Sequence, residues 1–299
     1  PMYNLITLAF HLVNAYLIYL FIYKVNHRPG FAALVSLTFS VSAMYSEATL
    51  WSAGRPESMV FTFMLAALLP FCGSKARIDE PDAGQPTAQT LSLRQWVLVF
   101  VFTFLALGTK ETWILLPGLA FLFVWFVRGF SFMQSLRATW PLFVTVALYL
   151  FYFVGLPMIT GSAPFTAYAR VGLAEGLNKF CFLIFKYCGF GSSFTGAVWQ
   201  YIVVFIALAA VLYRLLKTKN MLGLWGLGWM IVTIGITLPI FHAPGRYNYL
   251  PLVGFWIFVI SFFDYELKWI RERFKVNKKV LVGFAASFLV FYTAQQAIM

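Results

Sequence analysis

The stretch Tyr45-Ser-Glu-Ala-Thr-Leu-Trp-Ser-Ala-Gly-Arg-Pro-Glu57 is a short polar hinge between two strongly apolar runs, 31–50 and 57–72. It holds Glu47, Arg55 and Glu57. Charges at the edge of hydrocarbon are costly and are kept there by partners or water. The apolar runs around the hinge approach the roughly 20 residues needed to cross a bilayer, and they do not alternate as barrel strands do. The hinge therefore reads as the turn between two membrane helices.

Composition extends that reading to the whole chain. Of its 299 residues 61% are hydrophobic and only 11% are charged, where a soluble domain carries about 25%. The pattern predicts an all-α, polytopic membrane protein forming a single domain over 1–299. Ten spans are expected, at 4–23, 31–50, 57–72, 95–109, 112–127, 140–158, 199–216, 221–241, 250–264 and 280–297. The chain opens within the approach to a span, which reads as a fragment lacking an upstream helix and its loop. Cys181 and Cys188 are about 10.5 Å apart along a helix, too far for a disulfide.

The net charge of +12 fits basic cytoplasmic loops rather than nucleic-acid binding. Alternate connections hold 16 of the 22 basic residues: Lys24 and Arg28; Lys75, Arg77 and Arg94; Arg128 and Arg137; Arg214, Lys217 and Lys219; and six more across 268–279. The positive-inside rule places these in the cytoplasm. The loop 73–94 then reads as flexible and cytoplasmic, and 268–279 as a basic helix or loop touching anionic lipid, or as an orientation signal only. The connection 159–198 falls outside. Within it Leu173, Leu177, Phe180, Ile184 and Tyr187 recur at spacings of three and four, as in an amphipathic helix lying in the interface. The glycine-rich run 189–196 after it reads as flexible.

This topology gathers polar groups on the outer side. Arg55 and Glu57 either cap the next helix or join Glu47 in a site. Lys110 and Glu111 are adjacent and point apart on a helix, so each needs another partner. Lys110 either holds a phosphate as a compact charge or snorkels. Arg246, flanked by Tyr247 and Tyr249, offers a planar fork and two hydroxyls to a phosphate; the alternative is an aromatic belt with a snorkelling arginine. His242 reads as an ordinary interfacial histidine before a ligand or base. His11 and Asn14 share one face of the first span and are expected to hydrogen-bond across helices. A divalent cation held by Glu47, Glu57, Glu111 and His242 is a weaker alternative, since these carboxylates lack close spacing. No other cofactor is called for.

Four segments in order carry a resemblance. These are Tyr3 to Leu20 with His11 and Asn14; Ser46-Glu47-Ala48 with Trp51-Ser-Ala-Gly-Arg55-Pro-Glu57; Thr109-Lys110-Glu111-Thr112 with Leu116-Pro117; and Gly245-Arg246-Tyr247-Asn248-Tyr249-Leu250-Pro251 with Gly254. Together, over residues 3 to about 260, the chain resembles the polyprenyl-phosphate-dependent GT-C glycosyltransferases, in the protein O-mannosyltransferase-like branch whose eukaryotic members carry tetratricopeptide repeats. The resemblance implies an inverting, mannosyltransferase-like enzyme of the bacterial inner membrane or endoplasmic reticulum, active on the non-cytoplasmic side. It implies a dolichyl- or undecaprenyl-phosphate sugar donor and a protein, glycan or lipid acceptor. It gives Arg246, Lys110, Tyr247, Tyr249 and Arg55 to the donor phosphate. Glu47 becomes a supporting carboxylate, with Glu111, Glu57, His11, Asn14 and His242 around it. The leading catalytic acid is expected before Pro1. A lipid-linked-sugar flippase and a non-catalytic scaffold of the same fold remain the competing readings.

Overall fold

The computed structural model describes residues 2–42, 54–73, 91–160, 172–238, 245–275, 277, 280, 283, 287 and 292. Every regular element among them is helical. In chain order they are α1 (Met2–Asn26), α2 (Pro29–Val41), α3 (Arg55–Leu68), α4 (Leu93–Leu107), α5 (Leu116–Leu122), α6 (Phe132–Leu150), α7 (Leu156–Ile159), α8 (Leu173–Tyr187), α9 (Val198–Lys217), α10 (Met221–Thr237) and α11 (Tyr249–Phe274).

Four continuous helical segments are long and apolar enough to cross a membrane: Asn4–Asn26, Phe132–Ile159, Val198–Lys217 and Arg246–Phe274. Four shorter apolar helices, Pro29–Val41, Leu93–Leu107, Glu111–Val127 and Met221–Ile236, accompany them. The ends of the expected spans 31–50 and 221–241, and nearly all of 280–297, lie outside the described residues. Two boundaries move. The expected span at 140 begins at Phe132, because Ser131 and Gln134 form a reciprocal capping box ahead of it. The last described span runs on to Phe274, past the expected end at 264, and carries Lys268, Arg271 and Arg273 on a helix.

α1 shows how lipid reverses the usual pattern. Thr7, His11, Asn14, Ala15, Ile18, Phe21, Ile22 and Val25 are buried, while Leu5, Leu8, Leu12 and Tyr16 are exposed. Hydrocarbon solvates leucine as well as a protein core does, so the apolar face can point outward and the polar groups seek one another. α1 packs on α2 and α3, and α11 packs on α2 and α10. The aromatic core runs through Phe21, Phe123, Trp225 and Trp229, with Phe21 to Trp225 at 5.1 Å and Trp225 to Trp229 at 5.1 Å between ring centroids. The two indoles donate to the Leu119 carbonyl at 3.2 Å and the Leu250 carbonyl at 2.9 Å.

α10 and α11 approach most closely. A Cβ on Gly226 would stand 2.5 Å from the Phe258 backbone nitrogen, and one on Gly254 2.5 Å from that of Met230. Small residues let membrane helices bring their backbones together in this way.

Two contacts fix α1 parallel to α11. His11 meets Tyr249 near their starts, and Arg28, just beyond α1, grips Asp264 with both guanidinium nitrogens at 2.7 and 2.8 Å. These contacts are separated by about 25 Å along α1 and about 22 Å along α11. Lys268 adds to Asp264 at 3.2 Å, and Arg214 holds Glu266 at 2.7 and 2.9 Å. One end of the bundle is thus rimmed with ion pairs drawn from α9, α11 and the α1–α2 turn.

The predicted amphipathic helix is α8. Phe180, Leu183, Ile184 and Tyr187 pack inward, whereas Leu177 is exposed. The glycine-rich run after it is a tied turn, contrary to the flexibility expected. Gln200 accepts from the backbone of Thr195 at 2.9 Å and of Ala197 at 3.2 Å, and donates to the Ser193 carbonyl at 2.8 Å. Phe194 packs on Phe185 at 5.2 Å. All three cysteines are free, with Cys72 and Cys181 buried and Cys188 exposed.

Candidate functional site

The opening hinge delivers Glu57 through α3. Gly54 caps the helix, Pro56 stands in its first turn and Glu57 follows, an order that suits the helix start sterically and electrostatically. Glu57 is nevertheless buried, with 1% of its side chain exposed. A carboxylate in that position needs a partner. Lys110 supplies it: the ammonium forms an ion pair with Glu57 Oε1 while only 12% of the lysine side chain is exposed.

The lysine reaches Glu57 because α4 ends just before it. The backbone of Thr109 and Lys110 bonds back to Ala106, and Lys110 then turns extended, with φ −163° and ψ 149°. A short 3₁₀ turn, Glu111–Leu115, starts α5 at a new angle. Lys110 therefore faces inward and the adjacent Glu111 faces out, exposed. The divergence expected from a continuous helix is produced by a break in the helix.

The third segment completes the cluster. Lys110 Nζ lies 4.2 Å from the centroid of the Tyr247 ring, a cation–π contact. The Arg246 guanidinium is 5.8 Å from the same ring. Glu111 and Arg246 are both near enough to act electrostatically on Glu57. Residues 57, 110–111 and 246–247 thus meet at one end of the bundle, opposite the Arg28–Asp264 rim. Glu57 Oε2 is buried and has no hydrogen-bond partner among the described residues. Arg55 is half-buried at the start of α3 and leaves a different face from Glu57.

Beneath this cluster lies a buried polar knot. Tyr249 was expected beside a donor phosphate. Its hydroxyl is instead fully buried, 2.9 Å from His11 Nδ1 and 3.0 Å from Asn14 Nδ2. His11 Nε2 lies 3.2 Å from the Ser40 carbonyl, and Asn14 Nδ2 donates to the Ser58 carbonyl at 2.8 Å. Thr62 donates to Asn14 Oδ1 at 2.7 Å or to the Ser58 carbonyl at 2.9 Å. A carbonyl only accepts, so Nε2 carries the proton, Tyr249 donates to Nδ1, and the Asn14 amide donates to the tyrosine oxygen. Every one of these groups is then matched around a neutral histidine. His11 and Asn14 bond across helices as their spacing suggested, joining α1, α2, α3 and α11.

Tyr187 and Asn248 were not singled out from the sequence for a role here. Tyr187 is fully buried and donates to Asn248 Oδ1 at 3.0 Å, and its carbonyl accepts from the Tyr292 hydroxyl. The signal was present in part, since Tyr187 closes the apolar face of α8 and Asn248 stands inside the Arg-Tyr-Asn-Tyr run.

Glu47 and His242 lie outside the described residues. Among the described residues no three His, Cys, Asp or Glu side chains come together as a metal site. Comparison with protein-family models, with curated proteins and with solved structures yields no match.

Proposed function

We propose that the chain is a membrane glycosyltransferase domain that moves a sugar from a polyprenyl-phosphate carrier to an acceptor on the non-cytoplasmic side. The observation that carries this reading is the meeting of Glu57, Lys110 and Arg246 from three distant segments, each within a segment of family resemblance. Departure of a sugar from its lipid phosphate builds charge on the phosphate oxygens, and aimed cations stabilise it. Arg246 supplies a fork and Lys110 a point charge, the latter fixed by Glu57 and the Tyr247 face. Glu57, buried, serves this reading by holding the Lys110 ammonium in place. On the resemblance, Glu47 is a supporting carboxylate on the acceptor side. The resemblance is to mannosyltransferase-like enzymes, and the donor series below decides the sugar. No cofactor is assigned; a divalent cation stays within the proposal only if Glu47 and His242 join Glu57 and Glu111.

The test is transfer from a series of polyprenyl-phosphate sugars by membranes containing the protein. Removing one preorganised charge-stabilising donor costs about 10²–10³ in rate, so Lys110→Ala with Arg246→Ala should abolish measurable transfer. Unchanged transfer in that double variant would sink the proposed phosphate site. No transfer by the wild type, with movement of the lipid-linked sugar between leaflets instead, would favour a flippase.

A further inference from the structure

A cavity of about 720 Å³ opens at the other end of the bundle, where α3 ends, α4 begins and α5 hands over to α6. Glu57 and Phe71 are about 21 Å apart along α3 and its final turn, so this cavity is separate from the Glu57–Lys110 cluster. Its walls are aromatic and apolar, including Trp96, Phe100, Trp140 and Pro141. Two arginines, Arg128 and Arg137, line it, and no carboxylate does among the described residues.

The arginines differ from their neighbours. Arg28 and Arg214, toward the same end of the bundle, each hold a carboxylate by two nitrogens. Arg128 is half-buried, yet its described hydrogen bonds run only to the neutral carbonyls of Phe71, at 3.2 Å, and Gly73. No described ion pair includes Arg128 or Arg137. A partly desolvated cation without an anion is costly, and burial pushes the Arg128 guanidinium below its ordinary pKa. The first turn of α4, with its backbone N–H groups, also borders the cavity at Ser92 and Leu93. That turn adds a favourable field for negative charge. Beyond the cavity, Val97, Val101 and Phe104 on α4 and Trp140 and Val144 on α6 are exposed apolar side chains, a surface suited to acyl chains.

We propose that this cavity binds a phospholipid with a net-negative headgroup. The headgroup phosphate pairs with Arg128 and Arg137, and the acyl chains descend between α4 and α6. The site is independent of any transferase activity, and its test reads binding alone.

The purified full chain is mixed with equimolar phosphatidylglycerol and phosphatidylcholine, and retained lipid is measured by native mass spectrometry. Phosphatidylglycerol should be retained at least about 5-fold over phosphatidylcholine, a gap of about 1 kcal/mol. Arg128→Gln with Arg137→Gln should remove the preference. Because Arg128 also ties α3's last turn, the exposed Arg137→Gln variant alone should lower retention while leaving the unfolding temperature unchanged. Equal retention of the two lipids, or full retention in the double variant, overturns the proposal. Glycerol 3-phosphate stabilising the protein as strongly as phosphatidylglycerol would overturn it in favour of a soluble phosphate ligand. The acidic residues Asp79, Glu80 and Asp82 of this chain lie outside the described residues and supply the control for self-competition. Neutralising those three residues should leave lipid retention unchanged, and increased retention would show that the chain itself fills the cavity.

Discussion

Gly226 and Gly254 face one another across α10 and α11, and each backbone fills the space where the other's side chain would stand. The atoms in the way are backbone nitrogen and oxygen, which cannot rotate aside. Over-packing a tight interface costs about 1–3 kcal/mol. Gly226→Ala and Gly254→Ala should each lower the unfolding temperature in detergent. Combining them should cost less than the sum, since either one already separates the helices. Gly30, with nothing within 4 Å of its Cβ position among the described residues, serves as the control, and Gly30→Ala should leave the unfolding temperature unchanged.

The knot around Tyr249 predicts a different signature. Interhelical hydrogen bonds in membrane proteins contribute about 0.6 kcal/mol on average and up to about 1.7. Tyr249→Phe keeps the ring packed against Phe39 at 5.3 Å and Phe61 at 5.6 Å. It leaves His11 Nδ1 and one of the two Asn14 amide hydrogens without the tyrosine oxygen, while the bonds to Ser58 and Ser40 remain. It should therefore lose about 1–2 kcal/mol of stability in a denaturant titration while leaving the donor KM unchanged. A raised KM at full stability would return Tyr249 to the phosphate.

The ion pair beneath Tyr247 should behave as a unit. Breaking a buried pair from one side costs about 3–5 kcal/mol, because the other charge is left uncompensated; the partial exposure of Lys110 puts this case toward the low end. Lys110→Met should destabilise strongly. Adding Glu57→Gln should restore much of the stability without restoring any transfer, which separates the pair's structural role from its proposed chemical one. A double variant no more stable than Lys110→Met would show that the pair is not the origin of the loss.

Cys188 tests topology. It is the exposed cysteine of the three and lies just past α8. A membrane-impermeant maleimide should label it from outside intact cells or right-side-out vesicles, and not from the cytoplasmic side. The residue is exposed at the surface, but the atoms packed around its sulfur strip it of part of its hydration and raise the thiol pKa, so the reactive thiolate is scarce near neutrality. Labelling should be slow at pH 7 and quicken as pH rises beyond the ordinary thiol range. Replacing Cys188 with Ser should abolish this labelling, since Cys72 and Cys181 are buried.

Much of the architecture is legible because the signals are local. Runs of apolar residues mark helices, alternating loop charge suggests a topology, and the three-and-four spacing in 173–187 foretells α8. The loop charges group the segments of Glu57, Lys110 and Arg246 on one side, and in the fold these residues lie near one another. The misplaced details depend on partners far away in the chain. Tyr249 follows Arg246 closely in sequence, but the helix starting at residue 249 turns its hydroxyl toward His11. Gly226 and Gly254 carry no sign of each other until the two helices are packed. Ser131 and Gln134 are a local signal, a capping box three residues apart, but the apolar run that marks the span begins later and masks the helix start.

Four consecutive residues bind three systems together. Arg246 and Tyr247 belong to the charged cluster, Asn248 is held by Tyr187 of the amphipathic helix, and Tyr249 anchors the knot. Tyr187 is gripped on its other side by Tyr292. Asn248, held by α8, therefore stands directly after the residue whose ring bears on Lys110. The position of one amide thus makes the seating of the amphipathic helix and the seating of the Tyr247 ring parts of a single packing problem.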